Sequence, residues 1–167
     1  VEVYLASEFR YCDPIVDEGT LVIVISQSGE TLDTMAALRE ARARGARVLA
    51  IVNVVGSSIA READDVLYTW AGPEIAVATT KAYSTQLAVV AQLALYLADA
   101  RGTISAERYA ALVAELEQLP EKVAKVLEDQ NEIQYFASQF FNHDSIFFIG
   151  RNLDYAVGLE GSLKLKE

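Results

Sequence analysis

The stretch Leu21-Val22-Ile23-Val24-Ile25-Ser26-Gln27-Ser28-Gly29-Glu30-Thr31-Leu32-Asp33-Thr34 decides the fold. It opens with an apolar, mostly β-branched run, Leu21 to Ile25, which reads as a short strand buried on both faces. A hydroxyl-rich loop, Ser26 to Thr31, follows, and a helical pattern begins at once. Strand, tight loop and helix start form the geometry in which an α/β protein holds an anion. The loop lies outside the carboxyl end of the strand, and the free N–H groups of the helix start point at it. The hydroxyls of Ser26, Ser28 and Thr31 add donors, and Gly29 permits a sharp turn or a close approach of the backbone. The loop has neither Gly-Lys-Ser/Thr nor G-x-G-x-x-G, so it is not a nucleotide fingerprint. It also carries no cation, and neutral donors suit a sugar monophosphate better than a metal-bound triphosphate. The competing reading is a plain βα turn in which Ser28 caps the helix.

Outward from this stretch, the same alternation continues. Thr31 to Arg44 is helical, with Leu32, Met35, Ala36 and Leu38 on its buried side, and Gly45 stops it. Arg47 to Val52 is a strand with Asn53 at its carboxyl end, Gly56-Ser57-Ser58 starts a short helix, and Asp65 to Thr69 is another strand. Strands and helices at this spacing mean βαβ units and a parallel sheet. Toward the amino end, Val1 to Leu5 alternates and reads as a further strand, with a helical turn expected near Pro14 to Asp17. Toward the carboxyl end, Ala76 to Arg101 is expected to be a long, largely buried helix. Ser105 caps a second helix that runs to Glu128 and breaks at Pro120, and Asp129 to Phe141 is a third. Ser145 to Ile149 then reads as a strand and Tyr155 to Glu167 as a helix, so the strand–loop–helix design starts again.

The totals narrow the function classes. A chain of 167 residues, 52% apolar, buries a real core. Its net charge of −10 argues against nucleic acid and against an anionic membrane surface, so an anionic ligand needs local donors. Cys12 is the only cysteine, which fits a reducing cytoplasm, and no apolar run is long enough to span a bilayer. With one histidine, His143, and one cysteine far apart in sequence, no metal site and no cofactor are expected. Glu160, Lys164 and Glu167 are spaced i, i+4, i+7 and share one helix face. Such a face is either a solvated ladder of ion pairs or a pair of groups able to move protons on sugar carbons. Thr79, Thr80 and Lys81 near a helix start either cap it or give further donors to the same ligand.

These residues carry a resemblance. Ser26-Gln27-Ser28-Gly29-Glu30-Thr31-Leu32-Asp33-Thr34 resembles the phosphosugar loop of SIS (sugar isomerase) domains. Ala6-Ser7-Glu8-Phe9-Arg10-Tyr11, Ala76 to Leu87 and Leu159 to Glu167 narrow the likeness. Together they are similar to the isomerase part of the glutamine:fructose-6-phosphate amidotransferase family. The resemblance implies a three-layer α/β fold, a parallel sheet flanked by helices, cut short at both ends. It implies a first SIS domain over residues 1–103, a linker helix over 104–128 and the start of a second SIS domain over 129–167. It also implies a reaction: ammonia from glutamine is added to fructose 6-phosphate, and a ketose-to-aldose isomerisation gives glucosamine 6-phosphate. Ser26, Gln27, Ser28 and Thr31 match the residues that hold the phosphate, and Val77 and Thr79 match positions lining the sugar site. Glu167 matches the carboxylate that moves the proton between C1 and C2, and Lys164 matches a lysine that assists the sugar chemistry.

Parts of the family pattern have no match here. The glutaminase domain, the first SIS strand with its Gly-Thr-Ser loop, the ring-opening histidine and the imine-forming tail lysine are not found, and His143 matches none of them. The chain alone is therefore expected not to make glucosamine 6-phosphate from glutamine. Its expected partners are fructose 6-phosphate or glucosamine 6-phosphate, the glutaminase domain and tail of a parent chain, and a second copy in a homodimer. Another SIS-fold phosphosugar isomerase or deglycase, or a non-catalytic sugar-phosphate-binding module, are the alternatives.

Overall fold

The computed structural model describes residues 1–166, arranged as two compact units, Val1–Leu93 and Ala94 onward. In the first unit, β1 (Leu21–Ser26), β2 (Arg47–Val52) and β3 (Asp65–Tyr68) form a parallel sheet in the order β1-β2-β3. The register pairs Ile23 with Leu49 and Ile51 with Leu67, so alternate residues line each face. Val24, Val48, Ala50 and Val52 share one face with Ser26 and form the core. Against them pack α1 (Ala6–Phe9), α2 (Leu32–Ala43) and α3 (Ser58–Glu62), through Phe9, Met35, Ala37, Leu38, Ala41 and Ile59. This is the parallel sheet flanked by helices that the alternation of elements predicts.

Local chemistry sets the boundaries. Thr31 keeps extended dihedrals at the start of α2. At the other end Gly45 takes φ +91°, and the N–H groups of Gly45 and Ala46 donate to the carbonyls of Arg42 and Ala41. That pair of bonds is a Schellman close, which needs the left-handed residue that glycine supplies. Arg39 of α2 binds Glu62 of α3 through two bonds, of 2.7 and 2.5 Å, and Arg47 binds Asp65 across β2 and β3. These guanidinium groups hold the Glu62 and Asp65 carboxyls below their usual range.

The second unit is helical. It contains the later part of α4 (Lys81–Ala100), then α5 (Ala106–Glu117), α6 (Leu119–Leu127), α7 (Gln130–Phe140) and α8 (Leu153–Lys166). Ser105 accepts the Arg108 N–H at 3.2 Å and so caps α5. Pro120 sits in the first turn of α6, where its missing N–H costs nothing, and the pattern read as one helix splits there.

Several expectations are corrected. Val1–Leu5 and Ser145–Ile149 form no strand and stay exposed, because no neighbouring strand among the described residues completes their backbone bonds. Amino-terminal helix forms at Ala6–Phe9 rather than near Pro14–Asp17. β1 is buried on one face only: Leu21, Ile23 and Ile25 on the other are 40–45% exposed. Within α4, Ala82 alone is buried, while Leu87, Val90, Tyr96 and Leu97 stay exposed. No helix among the described residues is long and apolar enough to cross a membrane.

Candidate functional site

The loop between β1 and α2 sits at the carboxyl end of the sheet and is held from within by its own side chains. Ser26, the last residue of β1, is 6% exposed. Its Oγ accepts the Gly29 N–H at 3.1 Å and lies 2.9 Å from Thr31 Oγ1. Ser28 Oγ accepts the Glu30 N–H at 3.1 Å. The hydroxyls of Ser26 and Thr31 are thus brought together. Only one proton is used between them, which leaves the other free for a ligand. Thr31 makes no side-chain cap, so the first-turn N–H groups of α2, at Leu32, Asp33 and Thr34, have no partner within the helix. Converging hydroxyls beside a helix amino terminus can hold an anion. The reading of Ser28 as the cap of α2 does not hold, because Thr31 occupies that position.

A second loop, between β2 and α3, braces the first. Gly29 has φ +68°, and a Cβ built there would lie 2.0 Å from Ser57 Oγ. Ser57 is buried, and its hydroxyl has no hydrogen-bond partner among the described residues. The Gly29 carbonyl accepts the Ile59 N–H at 3.0 Å, and the Glu30 carboxylate accepts the Ser58 N–H at 2.7 Å. That backbone bond, first among several causes, holds the Glu30 carboxyl below its ordinary range. A depressed carboxyl contributes stability above its unfolded-state pKa of about 4.3, and loses it as pH falls through the lower folded value. Wild-type stability is therefore expected to fall more steeply than that of Glu30→Gln between about pH 6 and about pH 3. Denaturant unfolding across that range checks this, and parallel curves would count against the brace.

The remaining sequence-derived positions are distributed over both units. Asn53, at the carboxyl end of β2, donates its backbone N–H to the Gln27 carbonyl at 3.0 Å. Val77 and Thr79 lie in the same unit, on the segment between β3 and α4; Val77 is 88% exposed and Thr79 has φ +44°. No hydrogen bond among the described residues joins either one directly to Ser26–Thr31. In the second unit, Lys164 pairs with Glu160 at 2.7 Å on α8, and Glu167 lies outside the described residues. No cluster of three or more potential metal ligands occurs among the described residues. Sequence reasoning missed the braces at Ser57, Ser58 and Asn53. An asparagine closing a parallel strand, and serines opening the next helix, were the available signals.

The SIS domain family profile matches residues 1–96. The chain is 60% identical over its whole length to a glutamine–fructose-6-phosphate aminotransferase [isomerizing] of Caldanaerobacter subterraneus, and 61% identical to that of Clostridium tetani. It spans 28% of the length of each of these curated relatives. Among solved structures, the C-terminal domain of glucosamine-fructose-6-phosphate aminotransferase from Francisella tularensis superposes with a TM-score of 0.95 at 39% identity, covering 99% of this chain and 47% of that one. Glucosamine-6-phosphate deaminase from Thermotoga maritima superposes with a TM-score of 0.59 at 26% identity, covering 95% and 46%.

Proposed function

The chain belongs to the SIS domain family, and from that membership we propose that it binds the phosphate of fructose 6-phosphate and forms part of an isomerising glutamine:fructose-6-phosphate aminotransferase. The observation that carries this reading is the pairing of the Ser26 and Thr31 hydroxyls at 2.9 Å beside the uncapped amino terminus of α2. The phosphate contacts are assigned to Ser26, Gln27, Ser28 and Thr31, and the sugar to the segment bearing Val77 and Thr79. Fixing the phosphate fixes the register of the sugar carbons, the positioning an enediol-type shift requires. Lys164 and Glu167 are assigned, on family likeness, to the sugar chemistry, with Glu167 as the base that carries the proton between C1 and C2.

Residues 1–103 then make the first SIS domain, 104–128 the linker and 129–167 the start of the second. The working assembly is a homodimer in the cytoplasm. Calorimetric titration tests the binding reading. Fructose 6-phosphate is expected to bind at least about tenfold more tightly than fructose, roughly 1.4 kcal/mol, because the loop grips the phosphate. Equal affinity for the two sugars would overturn it.

A further inference from the structure

We infer that Asn53 is a positioning residue that locks the sugar-lining segment onto the phosphate loop; the inference rests on the binding reading given above. Asn53 stands at the end of the central strand, between the two loops that reading uses. On one side its backbone N–H donates to the Gln27 carbonyl at 3.0 Å. On the other its side chain is bonded to the segment that leaves β3. Its Oδ1 accepts from Thr69 Oγ1 at 3.0 Å and from the Ala71 N–H at 2.9 Å, and its Nδ2 donates to the Gly72 carbonyl at 2.8 Å. The carboxamide has one acceptor and two donors at its tip, and here both ends are engaged by one short stretch of chain.

That stretch has an unusual path. Trp70 has φ +53° and Gly72 φ +72°, so the backbone turns sharply twice, while Asn53 holds Thr69 and Ala71 on either side of the first turn and Gly72 at the second. Val77 and Thr79 follow a few residues later, with no direct bond to the phosphate loop among the described residues. Asn53 is therefore the residue that bonds to both the phosphate loop and the chain leading to Val77 and Thr79. Its side chain sets where the sugar wall begins, relative to the anion held by the neighbouring loop.

The phosphate loop itself does not depend on the Asn53 side chain. Ser26, Ser28, Thr31 and Glu30 find their partners among themselves and at Ser58. Loss of the carboxamide should thus separate two affinities that a general loss of structure would move together. Asn53→Ala is expected to weaken fructose 6-phosphate binding about tenfold while changing inorganic phosphate binding less than about twofold. Thr69→Val, which removes one donor to Oδ1, should show the same split more weakly, and Thr69→Ser should restore wild-type affinity.

Calorimetry of the full chain with each ligand, with circular dichroism and thermal melting of each variant, makes the test. If Asn53→Ala unfolds, the Thr69→Val and Thr69→Ser pair decides. Equal losses for both ligands, or no loss for either, would overturn the positioning role. A wild-type chain that binds neither ligand would refute the binding reading itself, and the role of Asn53 with it.

Discussion

Gly29→Ala is expected to lower the unfolding free energy by about 2–4 kcal/mol and to abolish measurable fructose 6-phosphate binding. Two costs add. A left-handed residue with a Cβ costs ~1–2 kcal/mol, and Gly29 has φ +68°. The new methyl would also lie 2.0 Å from Ser57 Oγ and 2.5 Å from Ser57 Cβ. Neither neighbour yields easily. Ser57 is 3% exposed, and the Gly29 carbonyl is tied to the Ile59 N–H. Relief has to come from the loop, which pulls the Gly29 N–H off Ser26 Oγ and separates the paired Ser26 and Thr31 hydroxyls on which the proposed binding rests. Urea denaturation and titration of the same variant give both readouts. Stability within about 0.5 kcal/mol of wild type would show that the loop accommodates a side chain and that its geometry is not as described.

Leu38→Ala carries the second large effect, a destabilisation of about 2–5 kcal/mol. Leu38 is fully buried at the centre of α2, whose apolar side packs on the core face of β1 and β2. Truncation removes transfer energy and leaves a cavity that a parallel sheet on one side and a helix on the other cannot close. The site suffers indirectly, because α2 supplies the amino-terminal N–H groups beside Thr31. The shift should appear as a lower urea midpoint at unchanged slope, with Leu38→Ile costing less than ~1.5 kcal/mol. A Leu38→Ala chain as stable as wild type would mean that α2 does not rest on this core.

The elements that were legible in the residues are those whose signals are local. Leu21–Ile25 and Val48–Val52 are apolar runs of strand length, Gly45 stops the helix between them, and Ser105 and Pro120 mark helix starts by their own chemistry. Val1–Leu5 and Ser145–Ile149 are also rich in β-branched and aromatic residues, yet form no strand. β-propensity describes fitness for a pleated, half-buried surface, and those segments have none beside them among the described residues. The exposed face of β1 has a similar cause: a run of β-branched residues shows that a strand forms, not how many of its faces are covered.

The site divides in the same way. The hydroxyl spacing of Ser26, Ser28 and Thr31 was readable because the candidate loop is contiguous in sequence. The Glu30 bond to Ser58 and the Asn53 bonds to Thr69, Ala71 and Gly72 link residues 16 to 28 positions apart, and no local spacing announces them. The family likeness supplied roles for Lys164 and Glu167 that spacing alone left open. The ion pair between Lys164 and Glu160 is equally consistent with a structural ladder on α8.

Whether the β1–α2 loop grips a phosphate, as proposed, is read by a residue-resolved amide titration. Adding fructose 6-phosphate, and separately inorganic phosphate, to nitrogen-15-labelled chain should move the amide signals of Ser28 through Thr34 together, along one saturable curve for each ligand. Shifts that avoid this stretch, or that never saturate, would mean that the loop holds no phosphate.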